Sequence, residues 1–457
     1  MVSVSCPDPE SVSWARRHLK EWYGKLAPEV TAASIRPDPM GDEEYRLVSD
    51  EECVKVTAST LQGVRYALYT LRQMVMPARG TEKVEGWIVP EAVICDKPQM
   101  DFRGIHICWF HENKVWEIER LIRLAAYYKL NYAVIEPWGT YKSDVAPWFG
   151  WPDGNMTKKE VKRLVALADD LGITLVPQLN VFGHATMGRV GAGKHAAIDL
   201  NPEYQTYFEP LAGWNWCLSN PHTIQLQKEL VKERYEDFGR PPYFHIGCDE
   251  SSTPSCPECI KKSYSTLFLE HVNRMNEYVK ELGAQTMMWH DMLIDREDPR
   301  WAGLHAKGTD ETASGAGSIS RDVIICDWYY RKALEEYPSH RYFKDLGFDV
   351  LACPWDNNEG TVSQCRQAHK TGIKGILGTL WHHYYGRWMV DIYFNVANLA
   401  WNSNASLKVH GNPYLNQYMV HTHLRQIGWD MGIDDPRHTG TFYDEIPEEP
   451  YYPATVK

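Results

Sequence analysis

The sequence predicts an α/β fold, a (β/α)8 TIM barrel preceded by a small α/β domain, and three observations predict it. From Gln99 onward, apolar runs of strand length alternate eight times with helical patterns. Several of these runs end in acids, amides or tryptophan, as expected where barrel strands form a catalytic face. The 457 residues are also too many for one ordinary domain and suit a barrel with a smaller companion.

Residues 1–98 are predicted to form the small α/β domain. The apolar residues of Thr60–Met76 recur with the helical period of about 3.6 residues. No catalytic set is visible in this unit, and Asp96–Pro98 is predicted to link it to the barrel. The other predicted elements are a helix over Ser11–Tyr23, strands over Tyr45–Val48 and Cys53–Thr57, and extended chain over Trp87–Cys95.

Residues 99–405 are predicted to form the barrel. Its strands are predicted over Phe102–Trp109, Tyr132–Pro137, Thr174–Asn180, Tyr243–Cys248, Gln285–His290, Val323–Asp327, Val350–Pro354 and Gly375–Trp381. Helical patterns cover Val115–Lys129, Lys158–Leu171, Thr223–Phe238, Ser265–Leu282 and Met389–Ala405. Residues 406–457 are rich in Pro, His and Tyr, and we expect them to pack on the barrel or on a partner subunit in a homodimer.

The run Tyr243–Cys248 organises the chain because two adjacent acids, Asp249 and Glu250, follow it directly. A short apolar run bounded by turn signals is typical of a buried parallel strand. Ionised acids are rarely buried unpaired, so the pair belongs where the strand leaves the core, at the catalytic face of a barrel. On spacing alone, capping of the next loop explains the pair equally well.

Other predicted strands end in the same way. Their repetition predicts a cavity lined with acids, amides and tryptophan at the carboxyl ends of the strands. The residues at these ends are Glu136, Gln178, Asn180, Trp289, Asp291, Asp327, Trp328, Trp355, Asp356 and Trp381.

Composition excludes several partners. The net charge of −12, without a Lys/Arg-rich block, makes nucleic acid and anionic membrane poor partners, and no apolar run is long enough to span a bilayer. The 18 Trp and 26 Tyr favour a carbohydrate ligand. The start lacks the features of a signal peptide, and the 11 scattered Cys are typical of reduced thiols, so we expect a cytoplasmic protein. No cofactor or metal is expected.

The segment Cys256-Pro-Glu-Cys259 is a lone CxxC pair. Zinc would need two more ligands at matching spacing, and the sequence does not reveal them. An ordinary surface loop is therefore favoured over a metal or redox site.

Several ordered motifs resemble those of the family 20 glycoside hydrolases, the β-N-acetylhexosaminidases. Phe102-Arg-Gly104 and Lys129-Leu-Asn131 resemble the segments that lead into that family's first two barrel strands. Pro177–Ala185 resembles its PEIDxPGHA segment, and Ser219-Asn-Pro221 followed by His245–Glu250 resembles its NP…HIGGDE stretch. Residues 45–76 look like the small domain before the barrel, so the resemblance covers about residues 45–400.

The resemblance implies a fold and a mechanism. Glu250 would be the general acid/base, and Asp249 would orient the substrate's own 2-acetamido group, whose oxygen attacks the anomeric carbon with retained configuration. Arg103 would hold sugar hydroxyls, and His184 would support Glu250. The remaining residues predicted to bind substrate are Glu136, Trp289, Asp291, Trp328, Tyr329, Trp355, Asp356, Trp381 and His383.

Each assignment has a structural alternative. Arg103 lies near the start of its strand and could form an ion pair at the bottom of the barrel, and His184 after a glycine could be a loop hydrogen-bonder. The tryptophans could be plain core residues.

The chain also departs from the family pattern. Cys248 replaces the second Gly of HIGGDE, and Asn180 replaces an acid of PEID. The family's Trp-x-Glu, which grips the 4- and 6-hydroxyls, has become Trp381-His-His383, and its Tyr-x-Asp has become Pro354-Trp-Asp356, so that Tyr329 or Tyr384 would replace the tyrosine. These departures favour GalNAc over GlcNAc, or a modified sugar.

Two other function classes stay open. One is a metal-dependent barrel hydrolase that uses His184, His245, Asp249 and Glu250 as ligands, although such barrels usually begin with HxH and this chain has only His106 there. The other is a barrel that binds sugar without turnover, against which the presence of both acids argues.

Overall fold

The computed structural model describes residues 1–33, 39–80, 84–111, 113–186, 197–210, 213–331, 333–355, 357–381, 387–405 and 407. By its contacts the chain divides into two units. The first contains residues 1–101, 123–130 and 385–457, and the second contains residues 102–122 and 131–384. The described residues from 387 onward thus group with the N-terminal unit by their contacts, whereas the sequence-based division assigned residues 99–405 to the barrel.

The first unit is built on a mixed sheet of five strands in the order β2-β1-β4-β3-β7. Strand β1 runs parallel to β2 and β4, and β3 runs antiparallel to β4 and β7. The strands of this unit are β1 Val2–Ser5, β2 Val30–Ala32, β3 Tyr45–Ser49, β4 Val54–Ala58, β5 Met76–Arg79, β6 Val84–Ile88 and β7 Ala92–Asp96, and its first two helices are α1 Ser11–Tyr23 and α2 Leu61–Met74.

The second unit is an eight-stranded parallel barrel in the order β10-β9-β8-β15-β14-β13-β12-β11. A parallel bridge between Gln178 and His245 joins the two end strands and nearly closes it. The barrel strands are β8 Phe102–Trp109, β9 Tyr132–Pro137, β10 Thr174–Pro177, β11 Tyr243–His245, β12 Gln285–Trp289, β13 Ile324–Tyr329, β14 Val350–Pro354 and β15 Gly375–Leu380. The remaining helices of the chain are α3 Val115–Tyr127, α4 Lys158–Leu171, α5 Ala197–Leu200, α6 Pro221–Asp237, α7 Tyr264–Leu282, α8 Asp310–Ser314, α9 Pro338–Asp345, α10 Asn358–Thr371 and α11 Arg387–Trp401.

Helix ends follow capping signals in the sequence. The hydroxyl of Ser263 accepts the Thr266 N–H at the start of α7, and Asn220 caps α6, whose first residue is Pro221. Helix α7 ends at Gly283, whose φ of 99° lies in the left-handed region that glycine tolerates best. None of the helices in the described parts of the chain combines the length and apolarity needed to cross a membrane.

The barrel interior is apolar and aromatic. Its core includes Phe102, Val134, Val176, Met287, Trp289, Ile324, Cys326, Trp328, Leu351, Cys353 and Leu377. Because side chains alternate along a strand, these residues identify which positions of each strand face inward.

All eight predicted barrel strands are confirmed; β10 and β11 end three residues earlier than predicted, β12 and β15 end one residue earlier, and β13 begins one residue later and ends two residues later. Strand β11 ends at His245 rather than Cys248 because Gly247 and Cys248 adopt positive φ angles of 69° and 74°, which a strand cannot continue. Strand β10 ends at Pro177 rather than Asn180. Helices α5, α8, α9 and α10 were not predicted: the first three are only 4, 5 and 8 residues long, and the polar sequence of α10 carries a weak apolar stripe.

Candidate active site

The loop after β11 carries Asp249 and Glu250 in a strained backbone. Gly247, Cys248 and Glu250 all have positive φ, at 69°, 74° and 46°. Non-glycine residues in this region cost free energy and concentrate at functional sites. The turn lifts both carboxyl groups out of the strand at the barrel mouth, the end of the barrel where the strands' carboxyl ends lie.

Two glycines allow this loop to approach the loop after β10. A Cβ at Gly247 would lie 1.8 Å from Asn180 Oδ1, and a Cβ at Gly183 would lie 2.5 Å from the carbonyl oxygen of Asp249. No side chain fits at either position without moving the neighbouring loop.

His184, on the loop after β10, contacts both acids. Its Nε2 lies 3.2 Å from Asp249 Oδ2 and 3.5 Å from Glu250 Oε2. Asp249 and His184 are buried, whereas the Glu250 side chain is 38% exposed. The ring of Trp214 packs on His184, and its Nε1 donates to the carbonyl oxygen of Glu250 at 2.8 Å. The histidine therefore links the two carboxylates, and Glu250 has the freer access to solvent.

Asp291 lies behind Glu250 rather than beside it. Its Oδ2 accepts the backbone N–H of Glu250 at 2.8 Å, and its Oδ1 lies 3.4 Å from Trp328 Nε1. Full burial, followed by the negative charge of Asp249, raises the pKa of Asp291 well above its usual value. Asp291 thus positions the catalytic loop, and it stands between the acids and the aromatic residues of the mouth.

Lys307 approaches the other face of Glu250, with its Nζ 3.1 Å from Oε1. Hydrogen bonding to His184 holds the pKa of Glu250 below its usual value, burial and Asp249 oppose this, and Lys307 adds to the lowering. In the ligand-free site Glu250 is therefore stabilised as a carboxylate. No motif in the sequence points to Lys307, which comes from the loop after β12.

Aromatic rings form the opposite side of the mouth. We call this set the aromatic wall: Trp328, Tyr330, Trp355 and Trp381. Tyr330 joins the set together, because its ring stacks on Trp328 at 4.8 Å and its hydroxyl accepts from Trp381 Nε1 at 2.6 Å. The ring of Trp355 meets Tyr330 edge-on at 5.3 Å. Such flat apolar faces can stack on a sugar ring.

Tyr330, not Tyr329, belongs to this wall. Trp328 faces the barrel interior, so alternation turns Tyr329 away, towards Tyr337, and brings Tyr330 back. His305 stacks on Trp328 at 4.3 Å, and its Nε2 accepts the Tyr330 N–H. Burial, with Arg331 and Lys307, lowers the pKa of His305 to about 4, so its ring is neutral at pH 7. Strict alternation after Asp327 could have identified Tyr330 from the sequence.

Glu136 and Trp289 lie beneath the mouth. Both are almost completely buried. Glu136 accepts from Asn180 at 3.0 Å and lies 3.0 Å from His106 Nε2. The Trp289 ring packs on His106, His245 and Trp381. Both therefore support the site from below, and Asn180, which stands where the family has an acid, serves the same buried network.

Arg103 is not brought to the acids. It is the second residue of β8, and its neighbours Phe102 and His106 face the interior, so alternation places Arg103 on the outer side of the barrel wall. It is fully buried there. The predicted contact with sugar hydroxyls does not follow from this geometry, and the structural alternative near the bottom of the barrel fits its position. Asp356, His383 and Tyr384 lie outside the described residues.

Within the described residues, two groups of side chains could hold a metal. One contains His106, Cys108 and Glu136, and the other contains Glu209, Cys217, Cys256 and Cys259. Neither contains Asp249 or Glu250, so the ligand set required for the metal-dependent hydrolase is not among them.

Two models of one protein family match this chain. The family model described as glycosyl hydrolase family 20, catalytic domain, matches residues 138–402, which is more than half of the chain. The chain belongs to glycosyl hydrolase family 20. The model for domain 2 of this family matches residues 3–97, the region of the first unit's sheet. The sequence-based resemblance to this family of glycosyl hydrolases is confirmed.

Curated relatives and solved structures agree with this membership. The chain is 23% identical to a β-hexosaminidase of Vibrio furnissii over 81% of its length and 29% identical to a β-N-acetylhexosaminidase of Cellulomonas fimi over 60%. It spans only 62% and 55% of those proteins. Among solved structures, a chitobiase of Flavobacterium johnsoniae matches with a TM-score of 0.68 at 17% identity. The match covers 96% of this chain and 71% of the chitobiase chain. A β-N-acetylhexosaminidase of Bacteroides fragilis matches at 0.65 and 19%, covering 93% and 91%. At these identities the structures show the shared fold.

Proposed function

We propose that this family 20 member is a retaining exo-β-N-acetylhexosaminidase in which the 2-acetamido group of the substrate is the nucleophile. The observation that carries the proposal is the arrangement of Asp249 and Glu250 around His184, at 3.2 and 3.5 Å, on a strained loop at the barrel mouth. Adjacent carboxyl groups with different exposure can be assigned different roles.

Glu250 is the proposed acid/base because it is the more exposed of the two acids. In the first step its carboxyl proton passes to the glycosidic oxygen as the bond from that oxygen to the anomeric carbon breaks. The acetamido oxygen forms a bond to the same carbon and gives an oxazolinium ion. In the second step the Glu250 carboxylate removes a proton from water, and the water oxygen displaces the acetamido oxygen. Two inversions leave the configuration retained.

Asp249 is the proposed partner of the acetamido group. It is buried beside His184, which helps to hold its carboxylate in one orientation. An ionised carboxylate accepts the acetamido N–H and stabilises the positive charge that develops on the oxazolinium ring. A fixed charge already in place at that position needs no reorganisation during the reaction.

The acid role requires a proton on Glu250, whereas the free site favours its carboxylate. Burial already opposes that lowering of the Glu250 pKa, and a bound sugar removes more water from the carboxyl group and competes for the exposed Lys307. Substrate binding therefore raises the pKa of Glu250 towards the value that a general acid needs at neutral pH.

Two observations bear on the proposed sugar specificity. Trp328, Tyr330 and Trp381 offer stacking faces, and the family's acid for the 4- and 6-hydroxyls is absent at Trp381-His-His383. We therefore keep a preference for GalNAc over GlcNAc within the proposal. We also propose a cytoplasmic location, which the 11 free cysteines support, and a homodimer.

A panel of matched 4-nitrophenyl glycosides tests the proposal. We expect hydrolysis of the β-GlcNAc and β-GalNAc glycosides, with the larger kcat/KM on GalNAc, and no comparable hydrolysis of the β-glucoside, which lacks the acetamido group. Equal rates on the glucoside would contradict the substrate-assisted mechanism. A strong preference for the GlcNAc glycoside would contradict only the proposed sugar preference. Failure to hydrolyse any of these glycosides would contradict the proposal that the protein is a glycosidase.

A further inference from the structure

A second cluster of reactive side chains lies outside the proposed active site. Cys217 comes from the segment after the bridge between Phe208 and Trp216, and Cys256 and Cys259 come from the loop that follows Glu250. The Cys217 sulfur lies 3.6 Å from that of Cys256 and 3.8 Å from that of Cys259. We call these three residues the thiol cluster. The fold therefore supplies Cys217 as a third thiol beside the CxxC pair.

These distances fit ligands that share one metal ion. Four ligands arranged tetrahedrally at a zinc–sulfur distance of about 2.3 Å place their sulfur atoms about 3.8 Å apart. A disulfide requires about 2.05 Å between its sulfur atoms, and none of the 11 cysteines is so paired. Thiol–thiol hydrogen bonds reach similar lengths, so the fourth side chain of the group decides between the two arrangements.

That fourth side chain is Glu209. One of its carboxylate oxygens and the three sulfur atoms all lie within 4.8 Å of one another. Its Oε2 accepts the N–H groups of Ser255 and Cys256, whereas Oε1 is buried and has no hydrogen-bond partner among the described residues. Glu209 is only 3% exposed. A buried carboxylate oxygen without a partner is costly unless a cation compensates for it.

The backbone of the CxxC turn also suits a bound metal. The Cys259 N–H donates to Cys256 Sγ at 3.2 Å, and the Ile260 N–H donates to the Cys256 carbonyl oxygen. An N–H directed at a sulfur stabilises its thiolate form, which is the form that binds metal. Three sulfurs and one carboxylate complete four-coordinate zinc, whereas an iron–sulfur cluster is generally held by four thiolates.

We propose that the thiol cluster binds one structural zinc ion, with the carboxylate of Glu209 as its fourth ligand. All four positions are filled by protein, so the ion has no open site for substrate and takes no part in glycoside hydrolysis. The site lies on the same two segments as the catalytic loop. Trp214 donates to the Glu250 carbonyl oxygen, and Asn215 exchanges two hydrogen bonds with Ser252. The zinc therefore fastens the segment that supports Glu250.

Metal analysis of the full-length protein tests this directly. The chain is expressed with zinc in the medium, purified without a metal-affinity step and passed through chelator-treated buffer, and its metals are measured by plasma mass spectrometry. We expect about one zinc per chain, as in closed structural sites. Cys217→Ser and Cys256→Ser should reduce zinc to background. The buried Cys365 lies outside the cluster, so Cys365→Ser is the matched control and should keep the ion.

Two measurements on the wild-type protein test the proposal even if a variant fails to fold. Stepwise addition of a mercurial thiol reagent should release the zinc to a coloured chelator, and cobalt grown into the site should show thiolate-to-cobalt charge-transfer absorption. Glu209→Gln, which keeps an acceptor for the two N–H groups, should purify with zinc but release it to EDTA faster than wild type.

Folded wild-type protein without stoichiometric metal would overturn the proposal. So would a Cys256–Cys259 disulfide found by peptide mapping under non-reducing conditions, or full zinc retention by Cys256→Ser. These readouts do not depend on glycosidase activity, so they stand apart from the test of the proposed function.

Discussion

The two sides of the barrel mouth are built differently. One side, which we call the acid wall, consists of His184, Asp249, Glu250 and Asp291. Its two acids proposed for catalysis, Asp249 and Glu250, are consecutive residues on a strained loop with close contacts, such as the hydrogen bond from the Glu250 N–H to Asp291. The aromatic wall draws two residues from the end of β13 and one each from the ends of β14 and β15, and it is held together largely through Tyr330.

The residues proposed for bond cleavage and those proposed for sugar recognition therefore lie on different sides of the mouth. The two adjacent acids of the acid wall belong to one short contiguous motif, so a small chemical change at either acid should greatly reduce turnover. The aromatic wall depends on dispersed contacts, each worth a modest free energy, so it can be rebuilt for another sugar one residue at a time. Trp355 and Trp381, which stand within segments that depart from the family pattern, belong to this second side.

The largest expected effect is on the acid wall. Glu250→Gln keeps the shape of the side chain but removes its proton, so we expect kcat on the preferred N-acetylhexosaminide to fall by about 10²- to 10⁴-fold. Steady-state kinetics measures this. The exposed Glu297 provides the matched control, since Glu297→Gln should leave kcat unchanged. Unchanged turnover in Glu250→Gln would assign the acid role to another group.

A smaller effect is expected on the aromatic wall. Tyr330→Phe removes the acceptor for Trp381 Nε1, which leaves a half-buried donor unpaired and loosens the ring. We expect kcat/KM to fall about 5- to 50-fold, mainly through KM, consistent with about 1–2 kcal/mol. Tyr329→Phe is the matched comparison and should change kcat/KM little. The opposite ranking of the two variants would mean that Tyr329 holds the sugar.

The same comparison shows how far the sequence could lead. All eight strands and both acids follow from apolar runs, turn signals and one contiguous motif. The prediction named Tyr329 rather than Tyr330 and did not reveal the buried contacts of Glu136, because a list of polar strand endings does not say which face each residue occupies. For Arg103, likewise, the position on the outer side of the barrel wall follows only from the alternation along β8. The third thiol was invisible because Cys217 lies 39 residues from Cys256 and is brought there only by the fold.

The smallest expected effect is on the pH profile. Lys307 favours the ionised form of Glu250, so Lys307→Met should raise the pKa of Glu250 in the free enzyme. A general acid then stays protonated to higher pH, and the alkaline limb of kcat/KM should move to higher pH.

The Lys307 pair is partly exposed, so high salt should produce part of the same shift in wild type. Lys280→Met, which breaks a surface pair with Asp322, is the control and should leave the limb in place. A shift to lower pH in Lys307→Met would contradict the assignment of Glu250 as the acid.

The most direct test of the central claim varies the nucleophile on the sugar itself. In a series of 4-nitrophenyl glycosides, the N-acetyl group is replaced by mono-, di- and trifluoroacetyl while the leaving group stays the same. Fluorine withdraws electron density from the amide oxygen and makes it a weaker nucleophile, so kcat should fall at each step. A rate independent of fluorine content, or a glycosyl group found covalently attached to the protein, would contradict it.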